Sequence, residues 1–250
     1  MTITQQDDLD RLHHIGRIVA NTLQGMARAM EPGMTTRELD QLGRAQLERE
    51  GAVSAPESTY DFPGATCISV NEEIAHGIPG DRVLRAGDLV NIDVSASKDG
   101  YFADTGASFG IGPVSPLVDR LCRDGRHAMQ IGIAQVGHDK PLAGIGNAIG
   151  AFAAQRGYTL IRNLASHGVG RALHEEPEEI PTWPTRRDRR RIHDGLVLTV
   201  EPFLSRGGTW AASGMADDWT LFSTPPAPVV QYEHTVVATR RGAIIVTLPG

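Results

Sequence analysis

Five side chains able to hold divalent cations, Asp93, Asp104, His167, Glu201 and Glu233, each lie in an apolar stretch with strand character. Asp93 falls in Leu89-Val90-Asn91-Ile92-Asp93-Val94, Glu201 closes Leu196-Val197-Leu198-Thr199-Val200-Glu201-Pro202, and Glu233 opens Glu233-His234-Thr235-Val236-Val237. A charge buried among such neighbours is expensive unless something compensates it. Four carboxylates and one imidazole suit a pair of first-row divalent ions sharing oxygen ligands, the arrangement of two-metal hydrolytic sites. The chain therefore reads as an enzyme.

Spacing carries the first two donors further. Lys98-Asp99-Gly100 is a turn signal between two alternating runs, so the segment reads as a hairpin. With the turn centred between residues 98 and 99, Asp93 and Asp104 face each other across the ladder. Directly opposed residues have Cβ atoms roughly 4.5–5.5 Å apart, and paired catalytic ions lie roughly 3.5–4 Å apart, so two such carboxylates would repel unless cations lay between them. Further along, Ser166-His167-Gly168-Val169-Gly170-Arg171-Ala172-Leu173-His174 places two imidazoles seven positions apart around two glycines. An odd separation sends side chains to opposite faces of a strand, so both rings can serve one site only if Gly168 or Gly170 permits a bend or bulge.

The elements that must position these groups follow from periodicity and punctuation. Leu9, Leu12, Ile15, Ile18, Val19 and Leu23 mark a helix over about 8–30, stopped by Pro32-Gly33. Thr35 with Glu38 is a capping box opening a second helix that runs to Gly51. Strands and hairpins occupy about 66–110. A second helical block from Ser115 to Gly157 is broken near Gly137 to Pro141, and strands resume at Tyr158. The order helix, helix, strands thus occurs twice, which predicts one domain over 1–250 built from two halves, about 1–112 and 113–250, with the metal site between them.

Composition sets the bounds. A chain of 250 residues buries a sizeable single core, and no Pro/Ser/Gly-rich linker divides it. A net charge of −6 and a pI near 5.8 argue against nucleic acid as the main partner. No apolar run of about 18 residues predicts a membrane span, and residues 1–8 lack the features of a secretory signal, so a cytoplasmic setting is expected. Cys67 and Cys122 have no motif spacing and read as reduced thiols. The charge run Arg186-Arg187-Asp188-Arg189-Arg190-Arg191 reads as a solvated loop.

Taken together, these segments resemble the metal-dependent methionine aminopeptidases of type I. The resemblance rests on residues 61–72 (Asp61-Phe62-Pro63-Gly64-Ala65-Thr66-Cys67 onward), Ala75-His76-Gly77-Ile78-Pro79, Asn91-Ile92-Asp93-Val94 and Ala103-Asp104-Thr105. In the second half it rests on His167-Gly168-Val169-Gly170, His174-Glu175-Glu176-Pro177, Thr199-Val200-Glu201-Pro202 and Gln231-Tyr232-Glu233-His234-Thr235. It implies an α+β "pita-bread" fold, a curved antiparallel sheet flanked by two pseudo-two-fold-related helix pairs. It implies two divalent ions per chain (Co, Mn, Fe or Zn), with Asp93 on one, His167 and Glu201 on the other, and Asp104 and Glu233 bridging. By the same resemblance His76, His174 and Glu201 are catalytic, and Phe62, Cys67, His76, His174 and Trp219 bind the substrate. Its partners would be the N-termini of nascent polypeptides, including those at the ribosome, and the protein a monomer. Thr59 stands where many members carry a tyrosine, Leu173 where an aromatic is frequent, and Thr224-Pro225-Pro226-Ala227-Pro228 where a polar turn usually stands. A proline-specific aminopeptidase of the same fold would share all five ligands, and a non-catalytic binding relative would share the fold.

Overall fold

The computed structural model describes residues 1–250. The first half runs α1 (Gln6–Ala29), α2 (Thr36–Arg49), β1 (Val53–Ser54), α3 (Ala55–Tyr60), β2 (Cys67–Val70), β3 (Glu73–Ala75), β4 (Leu89–Lys98) and β5 (Tyr101–Gly110). The second runs α4 (Pro116–Ile133), α5 (Ala143–Arg156), β6 (Thr159–Leu160), β7 (Ser166–Gly168), β8 (Glu175–Ile180), β9 (Val197–Val200), β10 (Phe203–Ser205), β11 (Trp210–Ser213), β12 (Leu221–Thr224), β13 (Val229–Gln231), β14 (His234–Thr239) and β15 (Gly242–Ile245). Each half leads with helices and follows with strands, the order read from the sequence.

Local chemistry explains the boundaries. Thr35 accepts from the Glu38 backbone N–H while the Glu38 carboxylate accepts from Thr35, closing the capping box at α2. Such a cap contributes about 1 kcal/mol. Ser115 caps α4 through Val118, and Gly157, at φ 72°, ends α5 in the left-handed region. The short α3 has no apolar period to announce it. It forms because Ser54 caps it, Pro56 occupies its first turn and Asp61, at φ 56°, stops it.

All strand ladders are antiparallel. β4 binds β2 and β5, with β1 also on β4, and the second half forms the sheet β15-β14-β9-β7-β8. The two sheets meet where β5 passes residues 232–235. Glu233 N–H donates to Gly106 O at 2.8 Å, Thr105 Oγ1 donates to Glu233 O at 2.9 Å, and Asp104 N–H donates to Thr235 Oγ1 at 2.9 Å. α1 packs on β4 and β5, while α4 and α5 pack together on the second half. Two apolar cores of 23 buried residues each result, one around Leu12, Ile15, Ile68 and Ile92 and the other around Leu121, Ile145, Ile149 and Leu198. Neither half dominates the core, so the seam between them is held from both sides. No helix is long and apolar enough to cross a membrane.

The hairpin register differs from expectation. Lys98 pairs with Tyr101, leaving a two-residue turn of Asp99 and Gly100, both at positive φ (52° and 78°). Asp93 therefore faces Gly106, and Asp104 faces Ser95. The preference of Asp-Gly for a tight turn with both central residues left-handed decides the register, moving the turn centre one residue along and so the pairing two residues from that of a turn centred on 98 and 99. Asp93 and Asp104 remain on one face as diagonal neighbours, at a spacing of roughly 7–8 Å between Cα atoms that still lets side chains meet.

Candidate active site

The donors converge at the seam. Asp104 comes from β5, His167 from the centre of β7, Glu201 directly follows β9, and Glu233 lies between β13 and β14. Asp104, His167 and Glu233 each offer a ligand atom, all within 4.8 Å of one another. His167 Nε2 lies 3.4 Å from Glu201 Oε1 and 3.9 Å from Asp104 Oδ2. Asp93 sits on the neighbouring strand beside Asp104, with Cys67 opposite it on β2.

Neighbouring side chains aim each donor. His167 Nδ1–H donates to Gly168 O at 2.9 Å, which leaves the Nε2 lone pair for the cluster. Thr199 Oγ1 accepts from His167 N–H and donates to Glu201 Oε1 at 2.8 Å, and Ser166 Oγ receives the Glu201 N–H. Gln231 Nε2 donates to Glu233 Oε2 at 3.0 Å, and Asn91 Nδ2 holds Gln231 Oε1 at 2.9 Å. Gly106 makes room for this relay, because a Cβ there would meet Gln231 Oε1 at 2.4 Å.

Electrostatically the cluster is unbalanced. Asp104, Glu201 and Glu233 are buried, and burial, with the other carboxylates adding to it, pushes each well above the usual carboxyl range. Burial likewise raises Asp93 to about 6. His167 is lowered to about 3, by burial first and then by His174, so its imidazole is neutral. Two oxygens, Asp104 Oδ1 and Glu233 Oε1, are buried without any hydrogen-bond partner. Buried polar atoms are seldom left so, and an ion is one recognised explanation. Carboxylate oxygens converging with one neutral imidazole fit a divalent cation.

Above the cluster opens a cavity of about 370 Å³. Its wall includes Asp93, Asp104, His167 and Glu201 together with all five expected substrate-binding residues, Phe62, Cys67, His76, His174 and Trp219. Glu233 is 2% exposed and does not reach this wall. Phe62 and Trp219 meet edge to face with centroids 5.3 Å apart. Trp219 is set by Asp217, which accepts the backbone N–H groups of both Trp219 and Thr220. His76 sits at φ 53°, where the chain leaves β3 for Gly77, and burial followed by His174 lowers its pKa. Burial raises the Cys67 thiol well above its usual value, which keeps it an unreactive apolar wall.

His167 and His174 are brought together as the two-glycine motif requires. The chain folds back after β7, Gly168 pairs with Glu175, and the ladder slips between Ser166 and Gly168. One participant escaped the sequence reading. Tyr60, next to Thr59, reaches the cavity from the end of α3 and hydrogen bonds His174 Nδ1 at 2.7 Å. The Ser54-Ala55-Pro56-Glu57 helix start was the available signal, since it winds the chain so that residue 60 and not 59 faces the site. Leu173 is part of the cavity wall. Of the arginine run, Arg190 is tied to Asp188 and Arg191 to Asp139. Cys67 and Cys122 are free thiols.

Residues 10–240 match the model of metallopeptidase family M24. The chain belongs to this family. It is 44% identical over 249 residues to methionine aminopeptidase 2 of Bacillus subtilis (strain 168), covering 99% of each chain. The crystal structure of methionine aminopeptidase from Rickettsia prowazekii superposes with a TM-score of 0.94 at 32% identity, over 99% of this chain and 100% of that one. Prolidase from Pyrococcus furiosus shares the fold at 19% identity and a TM-score of 0.78, with 66% of its length covered. The architecture is therefore the α+β pita-bread fold, and the family member is a metal-dependent hydrolase.

Proposed function

We propose that this M24 enzyme removes the N-terminal methionine from polypeptides whose second residue is small. The observation that carries the reading is the pair of unpartnered carboxylate oxygens, Asp104 Oδ1 and Glu233 Oε1, beside the free Nε2 of His167 and under a pocket closed by Phe62 and Trp219. Full-length identity of 44% to a protein named methionine aminopeptidase points the same way.

In this reading Asp93 would hold one ion, His167 and Glu201 a second, and Asp104 and Glu233 would be shared between the two. Cobalt, manganese, iron and zinc all suit the donor set. When bound, such ions lower the pKa of water enough to supply hydroxide near neutrality. Glu201 would accept a proton from the attacking water and return it to the leaving amine. His174 donates to the carbonyl oxygen as negative charge develops there, an interaction whose loss costs roughly 2.7–4 kcal/mol in comparable sites. His76, on the same wall, would lie near the scissile amide nitrogen. Phe62, Cys67 and Trp219 receive the thioether, and sulfur against an aromatic ring contributes about 0.3–1.5 kcal/mol.

The same reading takes residues 1–250 as one catalytic domain of two related halves, acting as a cytoplasmic monomer on nascent chains, at the ribosome among other places. Hydrolysis of Met-Ala-Ser against Ala-Pro-Ala, with each metal supplied in turn, tests it. Release of free methionine from the first peptide is expected. Preference for the second would move the chain to the proline-specific branch, and inactivity with every metal would make it a binding protein.

A further inference from the structure

Tyr60 touches the reacting region through a single bond, from its hydroxyl to His174 Nδ1 at 2.7 Å, with the two rings 5.7 Å apart. The tyrosine stands on a fixed mount. α3 ends at Tyr60 because Asp61 adopts the left-handed conformation, and Arg44 clamps Glu57 of the same helix through both carboxylate oxygens, at 2.9 and 2.5 Å. From that mount we infer that Tyr60 is a positioning residue that fixes the tautomer of His174, its O–H donating to Nδ1 so that the ring proton resides on Nε2. The inference rests on the reading of His174 as the donor to the substrate carbonyl and names the group that makes it one.

A neutral imidazole has one proton for two nitrogens, and only the nitrogen carrying it can donate. A phenol is the better acid of this pair and an imidazole nitrogen the better base, so the favoured sense of the bond is O–H to Nδ1. Burial, and then the charge of Asp104, raise the Tyr60 pKa, so the hydroxyl keeps its proton. His174 is held between this hydroxyl and the ring of His167, whose centroid lies 4.0 Å away. The opposite tautomer would put a lone pair where the developing oxyanion needs a donor.

Tyr60 is 42% exposed, so water can replace its hydroxyl in part. The expected loss in Tyr60→Phe is therefore about tenfold in kcat, the scale of one neutral hydrogen bond, with KM and metal content unchanged. Nitrogen-15 spectra of the zinc-loaded enzyme should show His174 with a protonated Nε2 and a bare Nδ1, and Tyr60→Phe should raise the population protonated at Nδ1. In a His174→Gln background, where an amide donates without any tautomer, Tyr60→Phe should cost nothing further. A His174 protonated at Nδ1 in the unmodified enzyme would overturn the inference. So would an unchanged tautomer in Tyr60→Phe, or an equal loss in the His174→Gln background, which would make Tyr60 a direct substrate contact. Full kcat in both His174→Gln and His174→Ala would instead remove His174 from the chemistry, while the spectra would still decide the tautomer.

Discussion

The rings of His167 and His174 lie 4.0 Å apart between centroids and 39° from parallel, although six residues separate them in the chain. Gly168 makes this approach feasible. A Cβ on it would stand 2.5 Å from the carbonyl oxygens of both Glu175 and Glu176, so only glycine lets the returning strand close over β7. One imidazole is thereby buried as a donor to the cluster, and the other is left open to the cavity.

Asp104 and Glu233, whose buried Oδ1 and Oε1 have no hydrogen-bond partner, are the proposed bridging pair. Asp104→Ala or Glu233→Ala is expected to abolish hydrolysis and most metal uptake, with elemental analysis as the readout. Two ions per chain in either variant would refute the bridging assignment.

Glu201 has two roles in the proposal, and substitution separates them. Glu201→Gln keeps an oxygen for a cation but removes the proton acceptor, so turnover should collapse by more than metal content does. Parallel turnover and elemental measurements decide, and near-normal turnover would end the proton-transfer role.

Metal affinity should weaken in acid because of the carboxylates and not the imidazole. Asp93 is raised to about 6 and His167 lowered to about 3, so between pH 7.5 and 5 Asp93 takes up a proton while His167 stays neutral. Each competing proton lowers affinity about tenfold per pH unit below its pKa. In the metal-free fold the raised Asp93 contributes stability that is complete below about pH 4 and is lost as the pH rises through about 6. Added metal acts in the opposite sense, so it should raise the Tm more at pH 7.5 than at pH 5. Thermal melts with and without manganese test this, and equal increments at the two pH values would count against it.

Gly106→Ala should damage the site without touching a donor. Its Cβ would meet Gln231 Oε1 at 2.4 Å, and that side chain cannot retreat because Asn91 and Glu233 hold it. Overpacking of this kind costs about 1–3 kcal/mol. Calorimetric titration with manganese should show weaker binding than in the unmodified protein, and unchanged binding would sever the link from Gln231 to Glu233.

Substrate choice follows from the pocket. Met-Ala peptides should be cleaved faster than Leu-Ala peptides, because a hydrophobic wall discriminates by about 1–3 kcal/mol per methylene, and N-acetylated peptides should resist. Equal rates for methionine and leucine at equal concentration would reject the pocket formed by Phe62, Cys67 and Trp219.

Much of the site was legible because buried donors stand out against apolar strands. Asp93, Glu201 and Glu233 are conspicuous beside runs of Val, Ile and Leu, and the glycines around His167 demand the turn that the structure contains. The hairpin was misread by one position because the turn was centred on Lys98-Asp99 and not on Asp99-Gly100, the pair that tolerates positive φ. Tyr60 was missed for a different reason. Its role depends on six residues winding into α3, whose stability comes from a cap, a proline and an ion pair to Arg44 and not from any periodic pattern. The relay from Asn91 through Gln231 to Glu233 joins residues 140 positions apart, and spacing says nothing about such a pair.

Because Glu233 is set by its backbone bonds to Gly106 and Thr105 of β5, the timing of metal acquisition is constrained. Asp93 and Glu233 are also 140 residues apart, and Glu233 is aimed only after β5 has received it. A growing chain that has not yet delivered this segment presents scattered carboxylates with no mutual geometry, and these cannot compete for a scarce ion. On the proposed ligand set, metal capture would coincide with closure of the fold, since the donors gain their mutual geometry only then.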